Sequence, residues 1–379
     1  MSDSAPKAVP TYGGVPIRNV WQMLLYAWDH AGDINRWRGE VESAASLQGL
    51  FASVLARLVE QRLRIGLGRD YVGVERVLRG VRGRIDMGRS IRERRFERGQ
   101  AACRYTSHEA DAPRNQIVRS VLARLVQSGD FGPGDDGRAL RNRLRRLTRE
   151  LHEVSIIPVD TALIRRQKLG RNDGDYRLML SICELIIEST VPTQRDGRRS
   201  VLSYSGDQSA LQKLFEAFVP AFYRHHLADW RVSTQLRWRW PAQSDYLPLM
   251  IPDIVLDHAD GLRRLVIDTK FTPHVLRTGR FEAQKVSSAH LYQLYAYLRT
   301  QEEGTPRDRH SAGMLLYPSV GAQVREVSEI QGHVVAVVTV DLAAPWVSIE
   351  DELLEALGTV SSYDGEISGG GAKCTHATR

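Results

Sequence analysis

Residues 246–271 read YLPLMIPDIVLDHADGLRRLVIDTKF, two apolar runs joined by DHADG. The first run opens at Asp253, and the second closes on Asp268 and Lys270. Charges inside buried strands are costly unless they are paired or hold a cation. On a strand, residues two apart share a face, so Asp268 and Lys270 project together while Ile267 and Thr269 face the other way. The turn at 257–261 predicts an antiparallel hairpin, which brings Asp253 toward the Asp268 end of the second strand. Two carboxylates and one ammonium then converge.

The pattern around this hairpin is that of a sheet domain. SALQKLFEAFVPAFYRHHLADW (209–230) places Leu211, Leu214, Phe215, Phe218 and Phe222 on one helical stripe, with Glu216 on its flank and Pro220 expected to bend it. WRVSTQLRWRWPA, SAGMLLYPS and HVVAVVTVDL are short branched or aromatic runs ended by turn formers, and SSAHLYQLYAYLRTQ is a helix among them. This predicts an α/β domain over 205–358, a mixed central sheet flanked by helices.

The preceding part reads differently. Apolar residues at helical spacing recur in NVWQMLLYAWDHAGD, with Asn19 as a cap, and at 45–65, 114–127, 138–152 and 176–190. Between them YVGVERVLRGVRGRIDMGRSIRERRFERG alternates valine and arginine among glycines, which predicts a β finger over about 70–100. The polar loop TQRDGRRSVLSYSGD (193–207) is the expected boundary, making 16–204 an α+β, largely helical domain. The small, polar ends, 1–15 and 359–379, are expected to be disordered.

Composition narrows the function classes. Of 379 residues, 42% are hydrophobic and 26% charged, an ordinary globular balance, and the formal net charge of +7 rests on arginine far more than lysine. That suits phosphate-bearing or acidic partners. Cys103, Cys183 and Cys374 are odd in number and lack CxxC spacing, so neither a disulfide framework nor a cysteine metal site is expected. No run of 18 apolar residues and no signal-peptide order is present, so a cytoplasmic chain without a membrane span is expected.

The two carboxylates near a backbone carbonyl suit Mg2+, a hard cation completed by water and phosphate oxygens. Such an ion polarises a phosphodiester and acidifies bound water. Lys270 is placed to assist the water and offset charge on phosphorus. The plain alternative is an ordinary Asp268–Lys270 ion pair, with Gln293 and Tyr297 as polar edges of a packed helix and Glu216 a solvent-facing carboxylate.

Pro252-Asp253, a turn, then Asp268-Thr269-Lys270 resembles the PD-(D/E)xK nuclease core. That resemblance implies metal binding by Asp253, Asp268 and the Thr269 carbonyl, with Glu216 as a further acidic residue on the preceding helix. Gln293 and Tyr297 form the QxxxY that follows the core in several nuclease branches, which implies a catalytic positioning role for Gln293 and a DNA contact for Tyr297. The resemblance extends further. VPIRNVWQMLLYAWDH, VRGRIDMGRSIR, DAPRNQIVRS, DYRLMLSICELII, LQKLFEAFV, VIDTKF and HLYQLYAYL stand in the order expected of the McrC family, nuclease subunits of McrBC modification-dependent restriction systems, over residues 15 to 355.

The resemblance implies a magnesium-dependent double-stranded DNA endonuclease that works with a hexameric AAA+ GTPase, McrB, itself the reader of methylated cytosine. No GxxxxGK[ST] loop is present, so GTP is expected on the partner and not on this chain. In the family the basic finger reaches the partner's pore and stimulates its GTPase, which makes Arg79, Arg82 and Arg84 candidates for that contact. From Arg76 to Arg98 there are nine arginines against three acidic residues, a run that equally suits DNA phosphates or a solvated face. Two other readings stay open: a non-catalytic activator of an AAA+ motor, and a stand-alone repair nuclease. Asp257 lies in the turn and His225, His226, His274 and His290 lack metal-site spacing, so all five are read as structural or surface residues.

Overall fold

A computed structural model describes residues 10–132, 134–170, 173–190, 208–242, 244, 246–271, 276–278, 284–302, 304–320 and 323–367. The expected boundary loop at 193–207, His274 and Cys374 lie outside the described residues.

The chain opens with β1 (Thr11–Tyr12) and β2 (Val15–Pro16), a hairpin leading into α1 (Ile17–Ala27). A 3-10 segment at Ala31–Trp37 leads to α2 (Arg38–Ser43) and α3 (Leu47–Ile65). Then come β3 (Asp70–Leu78), β4 (Arg84–Ile85), α4 (Met87–Arg92) and β5 (Ala101–Glu109). Helices α5 (Pro113–Ser128), α6 (Asp135–Glu150), α7 (Thr161–Arg165) and α8 (Gly174–Thr190) follow. The remainder is α9 (Gln208–His226), β6 (Trp230–Thr234), β7 (Ile254–His258), β8 (Arg264–Thr269), β9 (Leu276–Thr278), β10 (Gln284–Val286), α10 (Ser288–Thr300), α11 (Pro306–Arg309), β11 (Ala312–Ser319), β12 (Arg325–Ile330), β13 (His333–Asp341) and α12 (Trp346–Ile367).

These elements form two compact units: Trp37 through α8, and the residues up to Arg36 together with α9 through α12. The assignment of α1 departs from the sequence expectation, which put it in the N-terminal domain. Its apolar face explains why: Tyr26 packs on Phe218 and Phe222 of α9 and stacks on Trp346 of α12. Asn19 is not a cap either. It is fully buried, and its amide donates to the carbonyls of Leu342 (2.8 Å) and Ala344 (2.9 Å), pinning α1 to the turn after β13. The expected disordered ends are likewise shorter: residues 11–16 pair as β1 and β2, and α12 runs on to Ile367.

In the 37–190 unit, α3, α5, α6 and α8 bury Leu50, Leu55, Val121, Leu122, Leu144, Ile182 and Ile186 among themselves. The finger's long strands β3 and β5 are antiparallel, with Leu78 opposite Ala101 and Asp70 opposite Glu109. The return strand therefore starts later than the valine/arginine alternation suggested. The intervening residues fold as β4 and α4 because Asp86 caps α4, accepting from the Arg89 amide at 2.9 Å, and the Ser90 hydroxyl accepts from the Ala102 amide. At the finger's base Arg114 bridges Asp70 and Asp173, and Asn115 donates to the Gly68 carbonyl.

The other unit is built on a six-stranded mixed sheet in the order β12-β13-β11-β8-β7-β6. Strands β8, β11 and β13 run parallel, and β7 returns antiparallel to β8 as the DHADG turn predicts. All six residues of β8 are buried, the apolar Leu265, Val266 and Ile267 flanked by the polar Arg264, Asp268 and Thr269. Helix α10 lies on β11 closely enough that a Cβ at Gly313 would meet Leu298 and Leu294 at 2.9 and 3.0 Å. Met250, Val266, Leu294, Tyr297, Leu298, Leu315 and Tyr317 form the core there.

Candidate active site

The site forms where β7 begins and β8 ends. Ile254 pairs with Ile267, so continuing the antiparallel register by one residue sets Asp253 opposite Asp268. Val266 packs against α10, and the two-residue period puts Asp268 on that same face. The Lys270 ammonium lies 2.7 Å from Asp268 Oδ2, and the Lys270 amide donates to the Leu316 carbonyl, which keeps the backbone in the sheet past the last strand residue.

Asp253 is held by its neighbour strand. Its Oδ2 accepts from the Thr269 amide at 2.8 Å and from the Thr269 hydroxyl at 2.9 Å. Thr269 thus orients the first carboxylate. The sequence missed this, although a hydroxyl residue between the acid and the lysine is visible there.

Asp268 is fully buried, and its Oδ1 has no hydrogen-bond partner among the described residues. Burial pushes its carboxyl up to about 6, against the attraction of Lys270 and with the added repulsion of Asp253 and Glu216. A desolvated carboxylate facing two more negative groups and one ammonium is a site short of positive charge. A divalent cation would supply it.

Among the described residues no group of three or more His, Cys, Asp or Glu side chains closes into a metal cage. The donors present are two carboxylates, one with a buried oxygen free of partners, and the backbone. That set fits a hard cation keeping several waters, as Mg2+ does, and does not fit a zinc centre.

Glu216 is exposed on α9, where Gln212 donates to it at 2.8 Å. It is near enough to contribute to the field on Asp268 without being drawn in with Asp253. Gln293, also exposed, donates to the Tyr297 hydroxyl at 2.7 Å, and that hydroxyl donates to the Ile251 carbonyl at 3.2 Å. Tyr297 is only 5% exposed, and burial pushes its phenol up. In this structure the QxxxY pair braces the backbone two residues before Asp253. Spacing of four on one helix face foretold the pairing, but not its acceptor.

Of the residues read as structural, Asp257 pairs with Arg264, and His225 and His226 pack against Tyr26. The finger arginines Arg79, Arg82 and Arg84 are all exposed, Arg82 lying 4.4 Å over the Tyr105 ring. Val81, Met87 and Ile91 are exposed beside them. Gly83 has φ +67 and a Cβ there would clash with the Arg104 carbonyl, so this turn requires glycine.

Comparison with known proteins agrees with this architecture. A family model described as McrBC 5-methylcytosine restriction system component matches residues 18–318. The chain is 26% identical over 346 residues to the type IV methyl-directed restriction enzyme EcoKMcrBC of Escherichia coli strain K12, across 90% of this chain and 97% of that protein. It also shares its fold with a chain of the refined half-complex from a tetradecameric assembly of Thermococcus gammatolerans McrB AAA+ hexamers with bound McrC. The match has a TM-score of 0.55 at 17% identity, over 91% of this chain and 76% of that chain.

Proposed function

From the premise that the chain belongs to the McrBC 5-methylcytosine restriction system component family, we propose that it is the DNA-cutting subunit of such a system. The observation that carries this reading is the buried Asp268, opposite Asp253 and 2.7 Å from Lys270, with one carboxylate oxygen lacking a partner among the described residues. An ordinary structural ion pair leaves no buried oxygen unserved and gathers no second carboxylate.

Asp253, Asp268 and the Thr269 carbonyl would hold Mg2+, with Glu216 as an outer acidic group. When bound, the ion polarises the scissile phosphodiester and lowers the pKa of a coordinated water. Lys270 neutralises the field of Asp268 and stands where charge develops on the phosphate oxygens. Thr269 fixes the Asp253 carboxylate, and Gln293 and Tyr297 hold the backbone that carries it. The chemistry is hydrolysis of a DNA phosphodiester.

EcoKMcrBC is named as a methyl-directed restriction enzyme, and the Thermococcus gammatolerans assembly joins McrC to McrB AAA+ hexamers. By that likeness this chain docks on an McrB-like AAA+ GTPase that binds the GTP and reads the modified base. The exposed finger, with Arg79, Arg82, Arg84 and the apolar Val81 and Met87, is the surface proposed for stimulating that GTPase.

The test is cleavage of methylated and unmethylated plasmid by the purified chain with its AAA+ partner, GTP and Mg2+. Cutting should need all three, and should vanish in Asp268→Asn and Lys270→Ala. Normal cutting by either variant would place the active site elsewhere. If no cutting occurs while partner GTP turnover rises, the chain is an activator only.

A further inference from the structure

We propose that residues 236–242 and 246–251 form the two sides of a ribbon that docks duplex DNA beside the scissile phosphate, with Arg237 and Arg239 on phosphates and Tyr246 and Leu247 against a groove wall. The inference rests on the nuclease reading above and adds to it a surface that neither the core motif nor the finger includes.

The chain leaves β6 at Gln235, whose φ of 54 is left-handed, and rejoins the sheet at β7, from Ile254. Trp238 and Met250 exchange both backbone hydrogen bonds, at 2.8 and 2.9 Å, and the Trp240 indole donates to the Pro248 carbonyl at 2.9 Å. Extending the Trp238–Met250 pairing by one residue in each direction sets Arg237 opposite Ile251 and Arg239 opposite Leu249. The ribbon therefore has two unlike faces. Trp238, Trp240 and Met250 pack on the core against Leu294 and Tyr297. Arg237, Arg239, Leu249 and Ile251 face out, and Tyr246 at the tip is 97% exposed.

Several arginines of this unit are neutralised, Arg263 by Asp260, Arg264 by Asp257 and Arg325 by Glu355, whereas exposed Arg18, Arg224, Arg231 and Arg309, like Arg237 and Arg239, enter no ion pair among the described residues. What sets Arg237 and Arg239 apart is that they share the outer face of one ribbon near the carboxylates. An open cavity of about 560 Å³ beside them is lined by Arg239, Trp240, Ser244, Leu247 and Leu249. Exposed guanidinium groups beside apolar side chains match a sugar-phosphate backbone, whose anions need cations and whose sugars and groove walls accept apolar contact.

Position favours the same occupant. The Tyr297 hydroxyl holds the Ile251 carbonyl, and the Thr300 hydroxyl lies 3.3 Å from Met250 Sδ, so the ribbon's root is fixed to α10. Leu249, opposite Arg239, stands four residues before Asp253, at most about 14 Å of extended chain. Since a DNA strand carries a phosphate about every 3.4 Å of helix axis, the ribbon's cations fall within a few nucleotides of the phosphate at Asp268.

The experiment is fluorescence anisotropy of the full chain with a 30-base-pair labelled duplex, without divalent metal and across a salt series, beside partner-dependent cleavage by the same proteins. Arg237→Ala/Arg239→Ala should bind about tenfold more weakly at moderate salt, with the slope of log K against log salt reduced by about 1.8. Arg237→Lys/Arg239→Lys should keep the slope, and Tyr246→Ala should lose affinity at unchanged slope. Melting curves that match the wild type exclude misfolding, since every substituted side chain is exposed.

Unchanged affinity and slope in the alanine pair, with wild-type cleavage intact, would overturn the ribbon and leave the nuclease standing. Loss of association with the AAA+ partner at unchanged DNA affinity would make it a protein surface and overturn the inference too. A wild-type chain that neither binds duplex nor cuts it would remove both readings together.

Discussion

At the end of β8 and at the tip of the finger, the chain gathers charge in opposite ways. Asp268 is fully buried, with Asp253 opposite and one ammonium in contact, and its ionisation is strained by desolvation. Arg79, Arg82 and Arg84 stand exposed around the turn into β4, Arg82 lying over the Tyr105 ring and Arg84 paired opposite Arg104. In the first region, the fold spends stability to fix a few charges in place, as the proposed chemistry would require. In the second, it presents many charges on an exposed surface, as the proposed docking role would require. Substitutions at the two regions should therefore separate chemistry from stability in opposite senses.

The largest effect is expected at the buried site. Asp268→Asn should lower partner-dependent DNA cleavage by about a thousandfold or more, read as the initial rate of plasmid linearisation, while the purified protein still melts cooperatively. If residual cutting stays within tenfold of wild type, the buried carboxylate is structural and the contrast collapses.

The finger should behave in reverse. Arg79→Ala/Arg82→Ala/Arg84→Ala should reduce stimulation of the partner's GTP turnover by about tenfold, yet shift stability by less than about 0.5 kcal/mol, because the side chains are exposed. Equal stimulation by the triple variant would show the finger to be only a solvated loop.

A third prediction concerns pH. The folded-state pKa of Asp268, pushed up to about 6, lies above its ordinary 3.8, so between those values the folded chain binds a proton that the unfolded chain releases. The metal-free protein should consequently lose stability as pH rises through that window, by up to about 3 kcal/mol, and gain it back toward pH 4. Chemical denaturation in chelator at several pH values checks this, and Asp268→Asn should flatten the curve. A wild-type profile that coincides with the Asn variant would mean the carboxylate is not desolvated.

The smallest effect is expected at the brace. Tyr297→Phe removes the hydrogen bond to the Ile251 carbonyl and should cost about 1 kcal/mol of stability. It should slow cleavage far less than Asp268→Asn. A loss as large as that of Asp268→Asn would return Tyr297 to direct contact with DNA or metal.

Much of the site can be read directly from the chain. The period of two places Asp268 and Lys270 together, and the DHADG turn sets the antiparallel return that brings Asp253 opposite; both rest on local geometry. Helices with one apolar stripe were legible for the same reason, as at α3 and α9. Boundaries that depend on distant partners were not. Asn19 has the chemistry of a cap, but its amide bonds carbonyls more than three hundred residues away. The finger's return strand begins at Ala101 because the side chains of Asp86 and Ser90 settle α4 first.

By itself, then, the sequence determined that Asp253, Asp268 and Lys270 meet at one end of the sheet, since residue type and strand period are local properties. Only the tertiary structure decided that α1 joins the sheet unit, that the Tyr297 hydroxyl braces Ile251, and that Arg237 and Arg239 share an exposed face near the site. Those outcomes depend on which distant groups bury one another. Burial is a property of the folded whole, and no single stretch of chain encodes it.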